Sequence, residues 1–224
     1  AKDESWCLHL SYIKPHWPYI VPAPYHDMYG PEDIIPVNRS HLERQDPHPL
    51  MAAYYDYRYG RAFSRDDVRE AVIPAYMGLI TQIDDQIGRL MSYLKESGQI
   101  NDTMIVFTSD HGDYLGDHWM GEKELFHDAS ARIPLIIVDP SEEADATRGS
   151  VSKSLTEAID LLPTFLEFAG GEVPDHILEG HSLLPEIYNI GQTHRDFVIS
   201  EYDYSARPYL RQLSKDAKSC GPVS

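Results

Sequence analysis

Thr103-Met104-Ile105-Val106-Phe107-Thr108-Ser109-Asp110-His111-Gly112 is the stretch that decides the fold class. Its first six residues are uncharged and rich in strand formers, so they are expected to form a buried strand of a parallel sheet. A carboxylate, an imidazole and a glycine follow at once. Open α/β sheets place their ligand crevices at the carboxyl ends of strands, and oxygen and nitrogen donors at such an edge suit a divalent cation. Asp110 and His111 are therefore the candidate metal ligands, and Gly112 is expected to let the backbone turn away from the ion. Asp113, Asp117 and His118 add polar groups to the same loop. Lys123 brings a cation close by, as needed where an anionic ester is held beside a metal.

Working outward, residues 66–97 carry Val72, Tyr76, Leu79, Ile80, Ile83, Ile87, Leu90, Met91 and Leu94 at helical spacing, with Gly98 as a stop. Pro74 is expected to kink or restart this helix. Downstream, residues 134–138 read as a second buried strand and residues 153–155 as a short third. A helix over 160–169, capped by Asp160 and ended by Gly170-Gly171, follows; a short helix over 182–188 and a strand over 197–202 close the pattern. Upstream, residues 6–13 read as a buried strand. Residues 14–49 hold eight prolines and are expected to be irregular yet ordered by Trp17, Tyr19, Tyr25 and Tyr29. Strands alternating with helices indicate an α/β fold, a mainly parallel sheet flanked by helices. Within the proline-rich segment, Pro15 and Pro18 restrict the backbone around His16. A rigidly presented imidazole can donate to an anionic oxygen or act as a general acid.

The 224 residues include 19 Lys and Arg against 36 Asp and Glu, a formal charge of -17. That balance argues against nucleic acid as a partner, because phosphate binding needs a basic face. No stretch approaches the length of an apolar membrane span. Cys7 and Cys220 are too few for a disulfide framework and read as reduced thiols. The first ten residues do not resemble a signal peptide, which points to the cytoplasm, and they lack an initiator methionine. The chain is accordingly expected to begin partway through a protein. The aromatic loop from Pro15 to Tyr59 offers an interface for a homo-oligomer.

Several further stretches are KPHWPYIVPAPYH (14–26), YMGLITQIDDQIGRLMSYLKESGQINDTMIVFTSDHG (76–112), LGDHWMGEK (115–123), ARIPLIIVD (131–139), EAIDLLPTFLEFAGG (157–171) and EGHSLLP (179–185). In this order they resemble the second half of a sulfatase-type enzyme of the alkaline phosphatase superfamily, closest to the bacterial phosphonate monoester hydrolases. The resemblance implies an alkaline-phosphatase-like fold, partial here, with residues 1–206 in the catalytic domain and 207–224 a loop or truncated start of a carboxy-terminal subdomain. It implies hydrolysis of a small anionic sulfate, phosphonate or phosphate ester with a divalent ion: Mn, Zn, Fe, Ca or Mg. Asp110 and His111 match metal ligands; Lys123 and His16 match residues that contact the substrate anion; His118 matches a histidine given a supporting role. The family's nucleophile is a formylglycine made from Cys in a Cys-x-Pro-x-Arg signature. Neither cysteine supplies it, since Ser224 stands where Cys220-Gly221-Pro222 would require Arg. Alternatives are a phosphodiesterase of the same superfamily with a Ser or Thr nucleophile, or an inactive fragment that binds a metal or a partner.

Overall fold

The computed structural model describes residues 5–174, 176–189, 191 and 195–202. They form two compact units, the first from residues up to 93 plus 114–122, the second from 94–113 plus residues from 123 onward.

The backbone of the first unit is a long helix, of which residues 94–96 already count with the second, and two shorter helices precede it. Pro49–Asp56 (α1) and Arg58–Phe63 (α2) were not expected from the sequence. Pro49 occupies the first helical position, where its missing N–H is no loss, and Leu-Met-Ala-Ala then favours a helix. Asp66–Glu96 (α3) runs 31 residues, about 46 Å. Pro74 lies inside it, and the expected restart does not occur. Proline forfeits one intrahelical bond, but Arg69 before it and Leu79 after it are both buried, so packing on both sides keeps the helix continuous. The proline-rich segment is a series of short 3-10 turns, at Tyr25–Asp27, Pro31–Asp33 and His41–Arg44. Its tyrosines order it, as expected, by fastening it to α3. The Tyr25 hydroxyl donates to Asp85 at 2.7 Å, and those of Tyr29 and Thr81 pair at 2.7 Å. The approach is close enough that a Cβ on Gly78 would lie 2.4 Å from the Tyr25 carbonyl oxygen.

In the second unit, Ile105–Thr108 (β1) pairs with Leu135–Val138 (β2), with Ile105 opposite Val138 and Phe107 opposite Ile136. Mixed helix and strand agree with the α/β class, but this pair is antiparallel and not buried. Parallel pairing needs a crossover that returns the chain to its starting end; residues 109–134 form a loop that turns the chain straight back. One face of the pair carries Phe107 and Ile136 at 39% and 57% exposure.

Residues 6–13, 153–155 and 197–202 take no strand pairing, and Leu8, Ile13, Phe197 and Ile199 are exposed. A strand-forming sequence becomes a strand only when another edge accepts its N–H and C=O groups, and no described segment offers them one.

Asp128–Ala131 (α4) is a single turn. Leu161–Phe168 (α5) ends at Gly170, whose φ of 77° is left-handed, with the Gly171 N–H donating to the Leu166 carbonyl at 2.8 Å. Asp160 does not cap α5. Its buried carboxylate accepts instead from the Glu157 and His181 N–H groups and from Arg195, which also pairs with Glu157. Leu184–Tyr188 (α6) follows. Cys7 is exposed and unbridged; Cys220 and residues 207–224 lie outside the described residues. Among the described residues, no helix is long and apolar enough to cross a membrane.

Candidate active site

β1 delivers the chain to the loop that begins at Ser109. The Thr108 hydroxyl donates to the Pro134 carbonyl at 2.9 Å and the Ser109 hydroxyl to the His111 carbonyl at 2.6 Å, so the loop's first turn is held by hydroxyls. His111 Nδ1 lies 2.8 Å from the Gly112 carbonyl oxygen. A carbonyl can only accept, so Nδ1 carries the proton and Nε2 is the lone-pair nitrogen of the neutral ring. Nε2 points to Asp110, 3.5 Å from its Oδ2, and Oδ1 of the same carboxylate accepts the His111 N–H at 3.1 Å. The Asp110 carboxylate is 88% exposed. One carboxylate oxygen and one imidazole nitrogen therefore converge, with the imidazole oriented from behind by a backbone carbonyl, the arrangement that presents histidine to a metal. The pair fits a divalent ion as part of its ligand set. Among the described residues, no cluster of three or more His, Cys, Asp or Glu groups completes it.

Gly112 has a different purpose from the expected sharp turn. A Cβ there would lie 2.1 Å from the Ala129 carbonyl oxygen, so glycine is needed for close approach of two backbone segments. The second segment is the stretch that begins at Lys123. The Gly112 N–H donates to the Ser130 carbonyl at 2.8 Å, while the hydroxyl of Ser130, itself buried, donates to the Lys123 carbonyl. Lys123 and the Asp110–His111 pair thus belong to one hydrogen-bonded assembly inside the second unit.

His16 and His118 belong to the first unit. His16 Nδ1 bonds to the Trp17 carbonyl at 2.8 Å, and the Lys14 ammonium donates to the His16 and Pro18 carbonyls, so the loop is tied to itself. His118 sits in the excursion 114–122, which is closed by the Tyr114 N–H donating to the Glu122 carbonyl at 2.8 Å. Leu115, His118, Trp119 and Glu122 all have left-handed φ, between 45° and 62°. Such backbone persists only where surroundings over-determine it. Here Tyr114, Trp119 and Met120 are buried, and the Arg39 and Arg44 guanidinium groups lie 4.3 and 5.1 Å from the Trp119 ring centroid. His118 is anchored at both ends: its N–H donates to the Asn38 carbonyl at 2.8 Å, and its Nδ1 lies 3.0 Å from Glu43.

Ser130 and Glu43 escaped the sequence reading. Ser40-x-x-Glu43 has the spacing of a capping box, and Glu43 does reach back to the Ser40 N–H at 3.3 Å. Nothing in that pattern foretells His118 as its other partner. No local pattern marks Ser130 at all.

A profile described as Sulfatase matches residues 1–171. The multifunctional alkaline phosphatase superfamily protein PehA of Trinickia caryophylli is 42% identical, over 93% of this chain and 44% of its own. An arylsulfatase of Clostridium perfringens is 34% identical, over 90% of this chain and 41% of its own. The crystal structure of a phosphonate monoester hydrolase of Agrobacterium radiobacter is 30% identical with a TM-score of 0.80, covering 95% of this chain and 45% of that one. The chain thus spans less than half the length of these relatives.

Proposed function

The chain belongs to the sulfatase family, and on that premise we propose that the whole protein hydrolyses small anionic esters of the sulfate or phosphonate class with a divalent ion held partly by Asp110 and His111. The observation that carries this reading is the convergence of His111 Nε2 and Asp110 Oδ2 at 3.5 Å, with the ring turned by the Gly112 carbonyl. When bound, such an ion offsets negative charge developing on the transferred group and lowers the pKa of a nucleophile beside it.

The remaining roles fall to the chain's own side chains. The Lys123 ammonium supports an anionic oxygen of the ester, where a fixed positive charge stabilises the transition state more than the ground state. His16 carries its proton on Nδ1 toward Trp17 when neutral. Once Nε2 is protonated as well, it can hand that proton to the departing alkoxide or phenoxide. His118 has a supporting part through its bond to Glu43. The nucleophile, a formylglycine in this reading, is supplied by neither Cys7 nor Cys220.

The test uses the full-length protein with aryl sulfate and aryl phosphonate monoesters. Asp110→Ala and His111→Ala are each expected to lose bound metal and hydrolysis together, and full metal stoichiometry in both variants would overturn the ligand assignment. Lys123→Ala is expected to keep its metal and lose turnover by roughly 10²- to 10³-fold. Unchanged kinetics would remove Lys123 from the site.

A further inference from the structure

The second unit contains a relay of three hydrogen bonds that no motif reveals. It starts at the Lys123 carbonyl, which accepts the Ser130 hydroxyl. It continues from the Ser130 carbonyl, which accepts the Gly112 N–H at 2.8 Å. It ends at the Gly112 carbonyl, which accepts His111 Nδ1–H at 2.8 Å. Two of the links are made by one residue. Ser130 is 4% exposed, so water does not compete for its hydroxyl. Its own N–H is directed elsewhere, to the His127 carbonyl at 2.8 Å, which fixes the residue in the turn of α4. The approach of its neighbour Ala129 to Gly112 leaves no space for a side chain between the two segments, so the relay is backed by contact.

The geometry points to Ser130 as a positioning residue, one that ties the backbone of Lys123 to the loop bearing Asp110 and His111. This inference rests on the hydrolase reading above and adds to it how the anion-holding lysine keeps its distance from the metal ligands. The hydrogen bonds of Ser130 go to the Lys123 carbonyl, the Gly112 N–H and the His127 carbonyl, not to either ligand side chain. Its effect passes through the Lys123 carbonyl at one end and the Gly112 N–H at the other. Ser130→Ala keeps the backbone link to Gly112 and removes the link to Lys123, so the ligand loop stays in place while the lysine stretch loosens. The two ends of the relay are therefore separable in one variant.

The experiment compares wild type, Ser130→Ala and Ser130→Thr in the full-length protein, with three readouts: metal stoichiometry for Mn²⁺, kcat and KM for an aryl phosphonate or sulfate ester, and the rate of Lys123 acylation measured by mass spectrometry against Lys95 in the same sample. Ser130→Ala is expected to bind Mn²⁺ as wild type does, to lose kcat by roughly 10- to 100-fold, as a misplaced catalytic group does, and to change the acylation rate of Lys123 but not of Lys95. Ser130→Thr, which retains the hydroxyl, is expected to recover most of the kcat. Wild-type kcat and wild-type Lys123 acylation in Ser130→Ala would overturn the proposal and leave the hydrolase reading intact. Equal losses of kcat in the Ala and Thr variants would also overturn it, since the hydroxyl would then be irrelevant. If wild type itself neither binds Mn²⁺ nor cleaves the esters, the hydrolase reading fails, and the acylation comparison still decides whether Ser130 holds Lys123.

Discussion

The loop between β1 and β2 is built in two ways. Residues 114–122 are held by buried side chains: Tyr114, Trp119 and Met120 fill the first unit, and two guanidinium groups flank the Trp119 ring. Residues 109–113 and 123–130 are tied to each other by hydroxyls, carbonyls and one glycine; Glu124 and Leu125 are buried there as well, while the Asp110 carboxylate stays open to solvent. The difference teaches where chemistry can be placed. Burying aromatic surface stabilises strongly but shuts out water and substrate. Backbone hydrogen bonds can fix a ligand's direction without covering it. A loop that needs both rigidity and access can therefore keep its large buried aromatic rings in one stretch and an open carboxylate in another.

The sharpest way to break this division is Trp119→Ala. It removes a buried ring, its bond from Nε1 to the Ser40 carbonyl at 2.8 Å and its cation contacts, and is expected to cost about 3–5 kcal/mol in thermal or denaturant unfolding. Metal stoichiometry in the folded fraction should be unchanged; parallel loss of metal would show that the two stretches are not independent. Gly112→Ala is the complementary change. Forcing a Cβ against the Ala129 carbonyl should cost a smaller sum, about 1–3 kcal/mol, but should release bound metal by moving His111. Wild-type metal binding in that variant would remove the backbone as the source of ligand geometry.

Gly116 sharpens the comparison within the buried stretch. Its φ is 108°, and an added Cβ would meet the Arg69 side chain at 2.4 Å. Gly116→Ala is expected to cost about 1–2 kcal/mol from backbone strain, since the Arg69 chain can shift; calorimetry would measure it. The smallest effect belongs to Tyr25, whose phenol is held above its ordinary pKa first by its hydrogen bond to Asp85. A phenol raised on folding contributes stability below the ordinary value near pH 10 and loses it as pH rises beyond. Tyr25→Phe should therefore be slightly less stable than wild type at neutral pH, with the gap closing in alkaline solution. A gap that widens there would reverse the assignment.

These regions also show how far local sequence carries. The pairing of Asp110 with His111 was legible because adjacent residues after a strand share one short loop, whatever surrounds it. The order of the proline-rich segment was legible from its tyrosines, though not its attachment to α3, and the stop at Gly170-Gly171 was legible from glycine alone. Pro74 misled, because the rule that proline breaks a helix is local while burial of Arg69 and Leu79 is not. Residues 6–13 and 197–202 misled in the opposite sense: their composition favours strands, but pairing is a property of two segments.

What the sequence determined by itself is therefore the family, the adjacency of Asp110 and His111 after β1, and the helical and turn segments whose signals lie within a few residues. The tertiary structure alone decided that β1 and β2 run antiparallel, that Gly112 serves close approach and not a sharp turn, that Glu43 meets His118, and that Ser130 joins Lys123 to the loop of Asp110 and His111. The reason is physical: each of these is a contact between atoms separated by many residues, and its energy depends on a distance that composition and periodicity do not encode.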